Sequence, residues 1–165
     1  MRRFSFSLLF LALLAMAQPI AAAPAINDAR ALSGVENAKG VFFFDFDDPQ
    51  KLATYLQIVE NSHAGFLLQG VDPDLVMIFI GPTVKYLTTD PAPAIARDHP
   101  AKMMEIEQNI SDLAELGVRL EVCAVATDVF GVDNDTLMPG LHLTADGFVA
   151  LIGYQEQGYN LVPLF

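Results

Sequence analysis

Apolar positions along the chain follow two periods in turn. Val41-Phe42-Phe43-Phe44 and Leu75 to Ile80 are short, continuous apolar runs, the pattern of strands covered on both faces. Between them Leu52, Tyr55, Leu56 and Val59 recur at helical spacing, behind Asp48 as N-cap and Pro49 as first helical residue. Met103, Ile106, Ile110 and Leu113 mark a second amphipathic helix, which Gly117 ends as a left-handed cap. Val118 to Ala126 reads as a third strand, followed by a short helical segment from Thr127 toward Leu137. Pro139-Gly140 then turns the chain into a brief strand at Leu141 to Thr144. Phe148, Leu151, Ile152 and Gln155 share one face of a last helix, which Gly158 stops. Tyr159 to Pro163 is the final strand, and Pro163 places it near a strand end or a sheet edge. Thr83 to Asp98, rich in proline and alanine, fits neither period.

Five strands alternating with helices predict an α/β fold. Crossovers of this length imply a mostly parallel sheet, helices on both faces and right-handed connections. Ligands in such sheets sit outside the carboxyl ends of the strands. That directs attention to the Gly81-Pro82 turn after the second strand and to Cys123 in the second half of the third. No internal repeat or second domain is visible. The domain is expected over 39–165, behind a small, polar, aperiodic and flexible lead-in over 24–38.

The first residues change the setting. Met1, Arg2 and Arg3 precede an apolar run from Phe4 to Ala17, with small residues around Ala15 to Ala17 and Ala21 to Ala23. This is the layout of a secretory signal peptide over 1–23, cleaved somewhere from 17 to 23. Gln18 and Pro19 interrupt the run short of the roughly 20 apolar residues of a spanning helix. The expected product is a soluble, exported protein, periplasmic in a bacterium. The chain carries 9 basic and 20 acidic side chains, a net charge of −11, and cleavage removes two of the cations. Such a surface repels phosphate backbones and anionic lipid, so neither nucleic acid nor a membrane surface is an expected partner.

Cys123 is the single cysteine, and one cysteine cannot form an internal disulfide. It is a small buried core residue among Val122, Ala124 and Val125, a thiol paired with another chain, or a reactive free thiol. A helix start after Ala126 would favour a thiolate, whereas Asp128 would disfavour one if it faced the sulfur. Asp45-Phe46-Asp47 matches the opening of the haloacid-dehalogenase-like phosphatase motif. Pro49 stands where that motif favours threonine or valine, and no later acidic pair completes a metal site. Solvated carboxylates capping the next helix explain the segment better. His63, His99 and His142 are scattered without metal-ligand spacing, and Asp133-Asn134-Asp135 lacks the glycine and glutamate of a calcium loop, so no metal is assigned.

Val122-Cys123, Ala126, Gly131, Leu137-Met138-Pro139-Gly140 and Gln155-Glu156-Gln157-Gly158-Tyr159 together resemble the DsrE/DsrF-like family of sulfur-relay proteins, in its small exported branch. The front half, with its strand, Asp-Pro helix, strand and Gly81-Pro82, follows the family's order more loosely. The resemblance implies a three-layer α/β/α fold, ring-like homo-oligomers (trimers or hexamers) and no cofactor. It further implies that Cys123 carries sulfur as a persulfide, received from a donor and passed to a thiol-bearing protein partner. The activity implied is at most that of a sulfur carrier or sulfurtransferase. Gly81, Pro82, Ala126, Thr127, Asp128 and Gly131 would form the surroundings of the thiol. Val129 and Phe130 stand where transfer members often carry arginines, and Ala124 and Val125 replace small polar residues. The alternative is a non-catalytic oligomeric interaction module whose cysteine is structural.

Overall fold

The computed structural model describes residues 26–164, so the signal peptide expected over 1–23 lies outside the described residues. Five strands run β1 (Asn37–Phe44), β2 (Asp72–Phe79), β3 (Arg119–Cys123), β4 (Leu141–Thr144) and β5 (Asn160–Leu164). The helices are α1 (Pro49–Leu68), α2 (Pro93–Asp98), α3 (Pro100–Glu115), α4 (Ala124–Phe130) and α5 (Gly147–Glu156). The strands form one sheet in the order β4-β3-β2-β1-β5, and every adjacent pair is parallel. Asn37 and Ala38, placed in the lead-in by their composition, belong to β1. Ahead of them Asp28 exchanges hydrogen bonds with Gln69 at the end of α1.

Handedness divides the helices between the two faces. From β1 the chain steps outward to β2, β3 and β4, and right-handed crossovers in one direction put their helices on one side. The β4 to β5 connection returns past three strands, so α5 lies on the other side. Side-chain direction agrees, because successive strand residues point to opposite faces. Phe43 meets the Phe148 ring at 6.1 Å, and Glu121 accepts a 2.6 Å hydrogen bond from Tyr154, so these alternate positions face α5. Phe42, Phe44, Met77, Phe79, Leu120 and Val122 therefore face α1 and α3. There they meet the buried stripes Leu52, Leu56 and Val59 of α1 and Met103, Ile106, Ile110 and Leu113 of α3.

Local chemistry fixes the ends of these elements. Asp48 caps α1 by accepting from the Lys51 amide at 3.0 Å, with Pro49 as the first helical residue. The Thr83 to Asp98 stretch divides into a 3-10 helix over Gly81–Tyr86 and the short α2. Pro163 lies on β5, an edge strand whose one neighbour among the described residues is β1, the kind of strand to which proline is confined.

Two expectations are corrected. The third strand ends at Cys123 rather than Ala126, and the helix after it begins at Ala124 rather than Thr127 and closes at Gly131. A short apolar run does not distinguish strand from helix by period, and here the small alanines and the Thr127 hydroxyl, bonded to the Ala124 carbonyl at 2.9 Å, complete a helical turn. On α5 the side turned to the sheet is Gly147, Ala150, Leu151 and Tyr154. Phe148 and Ile152 are 61% and 60% exposed, because α5 is apolar around most of its circumference.

Candidate functional site

The correction to β3 moves Cys123 to the carboxyl end of the strand, where it is also the N-cap residue of α4. Its neighbour at this end of the sheet is the start of α5, which follows β4. The chain therefore leaves β3 and β4 into different helices, and Cys123 sits at their divergence, the place where ligands bind in open parallel sheets.

The Cys123 side chain is buried, and its Sγ accepts from the Gly147 N–H at 3.2 Å. Gly147 is the first residue of α5. The next two amides, Phe148 and Val149, donate to Asp146 Oδ1 at 2.8 and 3.4 Å. The first three amides of the helix are thus divided between the sulfur and the capping carboxylate. Only glycine fits at 147, because a Cβ there would lie 2.4 Å from Ile80 Cγ2 and 3.2 Å from Cys123 Cβ.

The adjoining wall comes from the loops after β1 and β2. Gly81 has φ +53, which favours glycine, and it lies so close to the Asp45 carboxylate that a Cβ on it would displace that side chain. Thr83, fully buried, ties the two loops by accepting from the Phe46 N–H at 3.0 Å and donating to the Phe46 carbonyl at 2.8 Å. Asp47 accepts from Lys85 Nζ at 2.7 Å and from the Tyr86 hydroxyl at 2.5 Å. Those two donors, Lys85 foremost, hold the Asp47 carboxyl below the usual carboxylate range. Burial, and then the Asp47 carboxylate, push the Tyr86 phenol up.

Together these elements enclose a cleft of about 420 Å³ above the thiol. Asp45, Ile80 and Gly81 form one side, Val125, Ala126, Val129 and Phe130 of α4 another, and Asp146 and Phe148 a third. A larger depression of about 520 Å³ lies between the lead-in and α1, and its lining holds one carboxylate, Asp28, and one hydroxyl, Ser62, which donates to the Ile58 carbonyl of its own helix at 2.8 Å. The smaller cleft is the one that holds the cysteine.

Of the residues expected around the thiol, Gly81 and Ala126 line the cleft with Cys123, and four do not. Pro82 turns into the 3-10 helix, Thr127 is fully buried, and Gly131 closes α4 with φ +66. Asp128 is exposed, and its carbonyl accepts from the Gly131 N–H. Sequence reasoning missed Asp45, Asp146, Gly147 and Phe148. Asp146-Gly147 ahead of an apolar helical run was the available sign, since Asp is a strong N-cap. Asp45 and Asp47 serve different structures, one at the cleft and one under Lys85 and Tyr86. His63, His99 and His142 lie on α1, before α3 and on β4. Among the described residues no group of three or more His, Cys, Asp or Glu side chains comes together as a metal site.

Two solved structures share this fold. A protein of unknown function from Methanobacterium thermoautotrophicum, MTH1491, aligns with a TM-score of 0.61 at 20% identity, over 77% of this chain and 99% of its own. The ychN protein from E. coli aligns with a TM-score of 0.55 at 15% identity, over 77% and 99%. At these identities the likeness is one of fold. A search of curated proteins returns no match. The model of the DsrE/DsrF-like family matches residues 20–164, from ahead of β1 to the end of β5 and across every element that builds the cleft. Sequence and architecture converge, and the chain belongs to the DsrE/DsrF-like family.

Proposed function

We propose that this protein binds and relays sulfane sulfur through Cys123, as an exported homo-oligomer. The observation that carries the reading is the placement of the sulfur, at the floor of an open cleft and 3.2 Å from the first amide of α5. An N–H donor at a helix N-terminus favours a sulfur that carries negative charge, as the attacking and the departing thiolate both do. In the loading step the Cys123 thiolate attacks the sulfane sulfur of a donor persulfide. A Cys123 S–S bond forms, the donor's S–S bond breaks, and the donor thiolate leaves with the electron pair. In the unloading step an acceptor thiolate takes the outer sulfur, and the Cys123 thiolate is the leaving group. No external oxidant or reductant enters either step. Within the cleft, the Gly147 amide would hold the sulfur in one orientation while the walls limit access to water.

Cyanolysis tests this reading. Protein exposed to polysulfide and desalted should release about one equivalent of thiocyanate per chain on cyanide treatment. The Cys123→Ser variant should release none, and equal release from both proteins would reject the proposal. A second reading, a non-catalytic interaction module, draws support from Val129, which is 70% exposed beside the thiol where transfer members often carry a cation.

A further inference from the structure

We infer that the cleft over Cys123 exchanges sulfur with uncharged or cationic sulfur carriers and discriminates by rate against anionic ones. This rests on the reading that Cys123 reacts, and adds to it the chemical class of the partner. Two carboxylates, Asp45 and Asp146, stand in the lining of the cleft, and no basic side chain does. Lys85 stands 6.0 Å from the ring centroid of Phe130 in the lining, and its ammonium is held on Asp47 at 2.7 Å. The other walls are apolar, with Phe130 and Phe148 presenting aromatic rings. The chain as a whole carries −11.

An anionic donor entering this space meets two carboxylates without a basic side chain in the lining to offset them. Clefts lined by one sign of charge focus the field and change encounter rates by about 10- to 1,000-fold. An uncharged carrier avoids that repulsion and gains apolar contact with the walls. A cationic one gains attraction to both carboxylates and to the faces of the rings. The discrimination acts on the rate, so an excess of polysulfide given time still loads the thiol.

Three methanethiosulfonates that differ in charge provide the test: the trimethylammonioethyl, methyl and sulfonatoethyl reagents. In each case the Cys123 thiolate bonds to the thio sulfur, the sulfur–sulfonyl bond breaks, and methanesulfinate leaves. Labelling rates of the full chain, read by intact mass and normalised to mercaptoethanol, should fall in the order cationic, uncharged, anionic. The expected cationic-to-anionic ratio is about tenfold or more at low salt, shrinking toward unity near 1 M salt. Asp45→Asn combined with Asp146→Asn should lower the ratio severalfold, since asparagine still caps α5. Glu107→Gln with Glu115→Gln on α3 makes the same change in total charge and should leave the ratio as it is. A ratio at or below unity, or one that the Asp45 and Asp146 variant leaves unchanged, overturns the charge selection alone. Failure of all three reagents to label Cys123 removes the reading beneath it, and this proposal with it.

Discussion

The Gly147 amide nitrogen lies 3.2 Å from Cys123 Sγ, so the first turn of α5 is built directly against the thiol at the end of β3. Gly147→Ala should disturb both partners, because the added Cβ would lie 2.4 Å from Ile80 Cγ2. Overpacking costs about 1–3 kcal/mol, and at the first helical position alanine's better interior propensity returns little of it, leaving an expected net loss of about 1–3 kcal/mol in urea unfolding. The rate of Cys123 alkylation in the folded variant should change as well. A variant with wild-type stability and wild-type alkylation would contradict the packing described here.

Thr83→Val tests the tie between the loops after β1 and β2. The substitution keeps the shape but leaves the part-buried Phe46 N–H and carbonyl without their hydroxyl partner. An unsatisfied polar group costs about 1–3 kcal/mol when fully buried, and partial access to water puts this loss at the lower end, about 1 kcal/mol. Denaturant midpoints should fall accordingly, and an unchanged midpoint would mean that the tie contributes nothing.

The Asp47 cluster gives a pH dependence with a definite sign. Lys85 and Tyr86 hold the folded-state carboxyl below its ordinary value of about 4. The folded protein therefore binds the Asp47 proton less readily than the unfolded chain does. The associated stability is fully present above the unfolded value, and is lost as pH falls through the lower folded value. The difference in urea midpoint between wild type and Asp47→Asn should hold constant near neutrality and shrink in acid. A difference that grows as pH falls would have the wrong sign.

Oligomerisation is expected from the resemblance and from the outer side of α5, where Phe148, Val149 and Ile152 are each at least 60% exposed. Isolated exposed apolar residues are ordinary, but three on one short helix form a patch. Light scattering behind a sizing column should give a mass of three or more chains, in keeping with the trimers and hexamers of the resemblance. A Val149→Lys and Ile152→Glu variant should lower that mass. A wild-type monomer at micromolar concentration would reject the expectation.

Much of the fold was legible because its signals are local. Asp48-Pro49 announces α1, the buried positions of α3 fall at the expected spacing, and the all-apolar centres of β1 and β2 read as strands covered on both faces. The end of β3 was not legible, because Val122 to Ala126 is apolar in either period. Its last three residues turn helical, and this carries Cys123 from the second half of a strand to its tip. The cleft was only partly legible for a different reason. Cys123 meets Gly147 across 24 residues, and Gly81 meets Asp45 across the gap between two loops. Neither pairing leaves a spacing in the sequence, since both follow from the strand order. The face of α5 was misjudged because a helix apolar nearly all round offers no period from which to choose.

The central claim is that Cys123 carries exchangeable sulfur, and intact mass spectrometry tests it most directly. Protein lacking residues 1–23, incubated with polysulfide and desalted, should gain the mass of one sulfur atom. A small thiol should then remove that gain, and Cys123→Ser should never show it. An unchanged wild-type mass, or a gain that persists in Cys123→Ser, would contradict the account.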